Sequence, residues 1–262
     1  MRALNTAATG MMAQELNVEV IANNIANMTT TGYKRQRAEF QDMLYEHVRR
    51  IGTQTSTQGN ILPVGVDIGS GVKTVGTPRI VTQGTLTQTG GQLDLAIQGD
   101  GYFKIQLPDG TFAYTRDGSF QMDAQGRIVT AQGNVVQPTI TIPANSSALT
   151  INSQGQVSVI TQGSTNPTIL GQLTVTTFLN EPGLLPIGDN LFTETPASGP
   201  PTDGLAATNG VGNIQQGNLE NSNVEPVTEI SNLIQAQRAY EMNSKVITAA
   251  DQMLQTTSGL YR

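Results

Sequence analysis

The chain has 262 residues, of which 37% are hydrophobic and 13% are charged, and it carries a formal net charge of −6. Globular proteins average roughly 45% apolar and 25% charged residues, so this composition limits the size of any single core. The acidic balance argues against nucleic acid as a partner, and the absence of cysteine excludes thiol catalysis, disulfide bonds and cysteine-ligated metals.

The first predicted element is a helix over residues 4–28, where apolar residues recur at a spacing of seven. Such a repeat forms a narrow stripe that another helix must cover. The stripe comprises Leu4, Ala7, Met11, Val18, Ile21, Ile25 and Met28, with polar Gln14 as its exception. The helix is predicted to end at Thr29–Thr31, because β-branched residues lower helix propensity and Gly32 can adopt the left-handed conformation. Polar residues interrupt this segment too often for a cleaved secretory signal, and no stretch has the ~18 apolar residues of a membrane span.

The middle of the chain is predicted to be β-structure. Residues 32–50 are expected to form a short amphipathic or extended arm, and residues 52–62 a polar loop. From about residue 64, alternating or short β-branched runs are separated by glycine-containing turns, which is typical of antiparallel strands. Three Asp-Gly dipeptides, at Asp100, Asp109 and Asp117, predict hairpin turns. Later strands are predicted at 139–142, 148–152, 156–160 and 169–178, followed by a surface loop at 195–212.

A second seven-residue repeat predicts a carboxy-terminal helix. Its apolar positions are Leu233, Tyr240, Ile247 and Leu254, with Ala236 and Ala250 between them. Residues Ser222 to Glu225 fit a capping box, and Pro226 is tolerated only in a first helical turn, so the helix should begin there. It is predicted to end near 257–259.

These elements predict an α+β fold with terminal helices that pair as a coiled-coil-like layer and a central, mainly antiparallel β-domain. Isolated helices are marginally stable in water, so the apolar stripes need partners. The expected organisation is a helical assembly domain (1–30 and 222–262), an extended connecting arm (31–70 and 205–221) and a β-rich domain (71–204). The stripes alone fit either the core of a monomer or a contact between copies, and a head-to-tail contact that does not close would give a helical filament.

Three groups of residues form a specific pattern in this order along the chain. The first spans 22–27 and 31–34, the second 95–103 and 114–120, and the third 219–224 and 237–243. The positions that carry most of the pattern are Asn23, Asn24, Asn27, Gly32, Tyr33, Gln237, Arg238, Tyr240 and Asn243. With them, the chain resembles the axial proteins of the bacterial flagellum, and most closely the distal-rod proteins of its basal body. The segment from Tyr45 to Pro63 also resembles an insertion of distal-rod subunits that hook proteins lack.

The resemblance implies a structural, non-enzymatic subunit that polymerises head-to-tail into a hollow drive shaft and transmits torque from the motor to the hook. It places the shaft in the basal body, where the shaft spans the periplasm. It also implies that the subunits are exported by the type III pathway without a cleaved signal. The implied partners are other copies of the chain, the proximal rod proteins, the hook protein and the ring bushings around the rod. It implies no cofactor and no metal.

Two alternatives stay open. A proximal rod or hook-type subunit shares the terminal motifs. A glycan-binding or glycan-cleaving β-protein is a different class, and cleavage would need two carboxylates about 5–10 Å apart. The candidate carboxylates are Asp94, Asp100, Asp117 and Asp123, but tryptophan is absent and this alternative leaves both helical repeats unexplained.

Charged residues near the first helix allow two interpretations. A basic cluster comprises Lys34, Arg35, Arg37, Arg49 and Arg50. It is either a solvated face or a contact with an acidic neighbouring subunit. His47, the only histidine, is predicted to be a surface residue.

Overall fold

The computed structural model describes residues 2–49, 64–162, 166–208 and 210–260. Two α-helices lie at the ends of the chain, and every strand pairing between them is antiparallel within the described ranges. The predicted α+β class is therefore confirmed. None of the helices in these ranges is long and apolar enough to cross a membrane.

The chain divides into two compact units. The first, here called the helical unit, consists of Met1–Ile25, Gln36–Pro78 and Glu225–Arg262. The second, here called the β-unit, consists of Ala26–Arg35 and Arg79–Val224. Each unit is therefore assembled from segments that are distant in sequence.

The helical unit contains the two helices and four short strands. They are α1 (Arg2–Ala26), β1 (Glu39–Asp42), β2 (Tyr45–Arg49), β3 (Val66–Gly69), β4 (Val72–Gly76) and α2 (Pro226–Leu260). Strand β1 pairs with β4, and β2 pairs with β3. The arm predicted at 32–50 is thus extended over β1 and β2, whereas the predicted loop at 52–62 lies outside the described residues.

The start of α2 corrects the predicted capping box. Helix α2 begins at Pro226, and the Glu225 carbonyl accepts its first helical hydrogen bond from the Glu229 N–H at 3.0 Å. Glu225 is therefore the N-cap, and its carboxylate accepts from Thr228 Oγ1 at 2.9 Å. Ser222 instead accepts from the Val224 N–H at 3.3 Å, before the helix. The fixed φ of proline suits the first helical position, so the N-cap is the residue directly before Pro226.

The β-unit contains sixteen described strands. They are β5 (Leu86–Gln88), β6 (Leu95–Gln98), β7 (Tyr102–Gln106), β8 (Phe112–Thr115), β9 (Gln121–Met122), β10 (Ile128–Val129), β11 (Val135–Gln137), β12 (Ser146–Ile151), β13 (Gln156–Thr161), β14 (Thr168–Gln172), β15 (Thr174–Thr177), β16 (Leu185–Gly188), β17 (Leu191–Thr193), β18 (Thr202–Leu205), β19 (Asn213–Gln216) and β20 (Asn218–Glu220). A 3₁₀ helix spans Glu181–Gly183.

One large sheet dominates the β-unit. Its strand order is β16-β17-β8-β7-β11-β10-β9, and β15 joins β7 while also pairing with β18. A three-stranded sheet β12-β13-β14 and the pairs β19-β6 and β20-β5 complete the unit. Its core consists of alternate side chains of these strands, including Leu95, Ile97, Phe103, Ile105, Ile128, Val136 and Leu173.

Most strand predictions are confirmed, but the strand predicted at 139–142 and the loop predicted at 195–212 need correction. Residues 139–142 form only an isolated bridge from Thr141 to Arg127, since Pro138 and Pro143 flank the segment and cannot donate to a ladder. The loop predicted at 195–212 contains β18, which pairs with β15.

Only one of the three Asp-Gly dipeptides joins two directly paired strands. Asp109-Gly110 connects β7 to β8, and Gly110 has the positive φ that this turn requires. Gly118 serves a different purpose, because a Cβ there would lie 1.6 Å from the Leu95 carbonyl oxygen. The dipeptide at Asp117 therefore allows two backbone segments to approach closely.

We predict that replacing Leu95 by alanine lowers the free energy of unfolding by about 2–5 kcal/mol, because it leaves a cavity in the core. Leu95 is 0% exposed, whereas Leu179 is 97% exposed. Leu179→Ala is therefore the matched control, and we expect it to change stability by less than about 0.5 kcal/mol. Urea denaturation measures both variants, and equal effects would contradict the assigned core.

Candidate assembly interface

Within the helical unit, α1 and α2 pack antiparallel. Asn24 Nδ2 donates to Glu229 Oε2 at 3.3 Å, and a Cβ on Gly10 would lie 2.8 Å from Asn243 Nδ2. Asn24 comes fourteen residues after Gly10, whereas Glu229 comes fourteen residues before Asn243. Because fourteen residues are two seven-residue repeats, about 21 Å of helix, the two helices keep one register between these contacts.

The seam between the helices is more polar than its apolar stripe predicts. Asn24 is buried, and its side chain also bonds both backbone groups of Gln36, at 2.8 and 2.9 Å. Glu229 is likewise buried. The Asn24 amide therefore bonds across the packed helices, and Glu229 is a seam residue that the sequence pattern did not reveal.

The residues predicted for the assembly seam fall into three groups by exposure. Ile21 is buried, as are Ala7, Ala236 and Ala250. The half-buried members are Leu4, Met11, Val18, Ile25, Leu233 and Ile247. Tyr240 and Leu254 remain exposed. Pairing of α1 with α2 thus covers the stripes only in part.

A second apolar set lies on the side of α2 that faces away from α1. It comprises Val227, Ile230, Ile234, Met242, Val246 and Met253, whose exposed fractions range from 45% to 74%. Exposed Arg238 and Lys245 belong to the same side. We call these eight residues the outer face of α2. The predicted seven-residue repeat of α2 does not include this face. The spacing of Val227, Ile230 and Ile234 is nevertheless also helical.

The Gly32-Tyr33 motif forms a tight turn in the β-unit. Gly32 has a φ of +67°, and a Cβ there would lie 2.8 Å from the Arg116 carbonyl carbon. Its N–H donates to the Glu220 carbonyl at 2.7 Å. Half-buried Tyr33 accepts at its carbonyl from the Asn223 N–H at 3.4 Å. The turn therefore holds the segment after α1 against the segment before α2.

A buried carboxylate lies beside this turn. Glu220 Oε1 is 2.6 Å from Lys34 Nζ, and Oε2 is 3.0 Å from Arg116 Nε, although that N–H does not point along the line of a hydrogen bond. Exposed fractions are 1% for Glu220, 3% for Lys34 and 5% for Arg116. A charge buried this deeply is stable only beside an opposite charge, so the three groups depend on one another.

Further hydrogen bonds complete this ion cluster. Lys34 Nζ donates to the Thr82 carbonyl at 2.9 Å, and the Gly84 N–H donates to Glu220 Oε1 at 3.0 Å. Arg116 donates to the carbonyls of Gly99 and Gly101 at 2.6 and 2.5 Å. Burial lowers the pKa of Lys34, and the attraction of Glu220 opposes that shift.

The ion cluster corrects both interpretations of Lys34. Lys34 lies neither on a solvated face nor against a neighbouring subunit, because its partner is Glu220 of the same chain. Arg37, by contrast, is exposed and pairs with exposed Glu39 at 2.6 Å. Arg50, another member of the predicted basic cluster, lies outside the described residues.

The segment that resembles a distal-rod insertion begins in an exposed ribbon. All of β2 is exposed, and β3 beside it is exposed over Val66–Ile68. His47 Nδ1 lies 2.6 Å from Asp67 Oδ1, and its predicted surface position is confirmed. Residues 50–63 of the segment lie outside the described residues.

The remaining motif residues take different positions. Asn27 and Asn243 are half-buried, whereas Asn23, Gln237 and Arg238 are exposed. Among the candidate carboxylates, Asp94, Asp117 and Asp123 accept hydrogen bonds from neighbouring turn residues. In the described part of the chain, no group of three acidic or histidine side chains could hold a metal ion.

We predict that Glu220→Gln lowers the free energy of unfolding by about 3–5 kcal/mol, because it leaves two buried cations without a counter-charge. Glu39→Gln breaks an exposed pair and should cost less than about 1 kcal/mol. Thermal and urea unfolding of the two variants measure the difference. A Glu220→Gln protein as stable as Glu39→Gln would show that the cluster does not hold the β-unit together.

Comparison with known families covers most of this architecture. The profile described as "Flagella basal body rod protein" matches residues 4–34, that of the "Flagellar hook protein FlgE/F/G D1 domain" matches 96–159, and that of the "Flagellar basal body rod FlgEFG protein C-terminal" matches 215–260. The matched regions contain α1, the first half of the β-unit and α2.

Several relatives are similar over nearly their full length, and each is named "Flagellar basal-body rod protein FlgG". That of Caulobacter vibrioides is 57% identical over 260 residues, which is 99% of both chains. That of Agrobacterium fabrum is 52% identical over 258 residues, 98% of both. That of Buchnera aphidicola from Acyrthosiphon pisum is 49% identical over 252 residues, 96% of both. The predicted resemblance is confirmed, and the chain belongs to the FlgG family of flagellar basal-body rod proteins as a structural subunit of the distal rod.

Proposed function

We propose that this subunit polymerises head-to-tail into a hollow helical shaft that transmits torque from the motor to the hook. It acts without catalysis. The observation that carries the proposal is the outer face of α2, where six apolar side chains are exposed along the helix from Val227 to Met253. Contiguous exposed apolar surface of this kind marks an interaction site, because water leaves it when a neighbour covers it.

The exposure of some seam residues also favours polymerisation over a monomer that buries all of its own seam. The seam predicted for assembly comprises Leu4, Met11, Val18, Ile21, Ile25, Leu233, Tyr240, Ile247 and Leu254. Tyr240 stays exposed although α1 lies beside it, whereas Leu254 lies beyond Asp251, which the register of the two helices places opposite Arg2. We propose an assembly domain of residues 1–30 and 222–262, joined by an arm of residues 31–70 and 205–221 to a β-rich domain of residues 71–204.

The chain is located in the flagellar basal body. We propose further that the rod spans the periplasm, that type III export delivers its subunits without a cleaved signal, and that the terminal helices line its interior. It would connect to the proximal rod proteins on one side and to the hook protein on the other, inside the ring bushings. Membership in a flagellar rod family supports assembly with other parts of the flagellum.

We predict that Ile234→Ser together with Val246→Ser raises the concentration needed for polymerisation by at least about a hundredfold, since each buried aliphatic side chain stabilises a contact by roughly 1.5–3 kcal/mol. The control pairs Leu185→Ser with Ile187→Ser, which are similarly exposed in the β-unit. Sedimentation of the purified full chain over a concentration series measures assembly, and circular dichroism verifies that each variant is folded.

Two results would contradict this proposal. One is a double serine variant on α2 that polymerises at the wild-type concentration. The other is wild-type protein that stays monomeric at millimolar concentration under every condition in which it is folded. The second outcome would show that the outer face is an ordinary exposed surface and not an interface.

The proposed place of the subunit is tested in cells. A strain that lacks this chain should contain basal bodies that stop between the inner ring and the hook, because the hook would have no shaft to grow on. Electron microscopy of isolated basal bodies shows the stopping point, and re-expression of the wild-type chain is the control. Basal bodies with attached hooks in the deletion strain would exclude the proposed partners.

A further inference from the structure

A groove of about 650 Å³ lies between α1 and α2 in the helical unit. It is lined by Glu15, Val18, Glu19, Gln237, Tyr240 and Glu241, and we call it the acidic groove. Val18 and the exposed ring of Tyr240 provide its apolar surface. Across the described part of the chain, no ion pair involves any of its three glutamates. The groove therefore combines apolar surface with negative charge, which Glu15 and Glu19 supply from α1.

The outer face of α2 has the complementary chemistry. Arg238 and Lys245 stand seven residues apart among its apolar side chains, about 10 Å along the helix. Both are exposed, and neither takes part in an ion pair with another described residue. This face therefore combines apolar surface with positive charge on a protein whose net charge is −6, and Glu241 borders it three residues after Arg238 and four before Lys245.

The two surfaces of one copy point in different directions. At about 100° per residue, Tyr240 in the groove and Val246 on the outer face are separated by about 120° around α2, whereas Glu241 lies within about 20° of Ile234, so the two surfaces share an edge on that helix. A contact between them must therefore join two copies through unlike surfaces. Such a contact leaves one surface free at each end, so it can repeat into an open helical filament.

We propose that the outer face of α2 in one copy docks into the acidic groove of the next copy. Arg238 and Lys245 lie against Glu15, Glu19 and Glu241, while Ile234 and Met242 contact Val18 and Tyr240. Charge complementarity of this kind fixes which surfaces meet and suppresses pairing of two identical faces. The docking rests on the proposed polymerisation, and it specifies the surfaces that polymerisation uses.

A charge exchange between two variants tests the docking. One variant carries Glu15→Lys and Glu19→Lys, and the other carries Arg238→Glu and Lys245→Glu. Each variant alone places like charges across the contact, so we expect the polymerisation concentration to rise at least about tenfold. An equal mixture should polymerise again, because each copy's groove then meets an outer face of opposite charge from the other variant. Sedimentation of the full-length proteins, with each variant tagged differently, shows whether both enter the polymer.

The control variant carries Asp100→Lys and Glu194→Lys, two exposed residues of the β-unit with the same change in net charge as the groove variant. It should polymerise like wild type. The docking is overturned if wild type and control polymerise while the mixture does not, or if both exchange variants polymerise normally alone. If folded wild type fails to polymerise at all, the proposed function fails instead, so the two failures are distinguishable.

Discussion

The β-unit depends on one buried carboxylate that compensates two buried cations. Glu220 ends strand β20, Lys34 belongs to the segment that follows α1, and Arg116 follows strand β8. None of these charges would be stable at its depth without the others, because desolvation of a single ion costs several kcal/mol. The cluster therefore fixes the paths by which the chain enters and leaves the β-unit, and the Gly32 N–H adds a backbone bond to the same Glu220.

The helical unit has polar contacts in its seam and apolar side chains on its exposed surface. Its seam includes Asn24, Glu229, Gly10 and Asn243, whereas the outer face of α2 carries exposed aliphatic side chains. Polar pairs in a seam fix register, because a shift would leave a buried amide or carboxylate without its partner. The apolar side chains on the outer face of α2 remain exposed.

The sequence reveals elements that depend on local spacing and hides contacts between distant residues. Both helices follow from the seven-residue repeat, and Pro226 marks the start of α2 within a residue. The predicted capping box is wrong. Ser222 satisfies the spacing rule, but Pro226 takes the first helical position and the residue before it is the N-cap. The pairing of Lys34 with Glu220 spans 186 residues, and no local pattern indicates that either charge is buried. The outer face could have been found by scoring every helical spacing instead of one repeat.

The balance of energies in the helical unit explains why a subunit of this kind needs both apolar and charged surfaces. Full burial of an aliphatic side chain contributes roughly 1.5–3 kcal/mol, while association costs about 4–15 kcal/mol of lost motional freedom and ordering. Six partly exposed side chains on α2 are then enough to drive association only when most of them are covered together. Charges add little affinity at a wet surface, but they decide orientation. A shaft that carries torque requires such orientation in every repeat, since a single reversed subunit would interrupt the helical array.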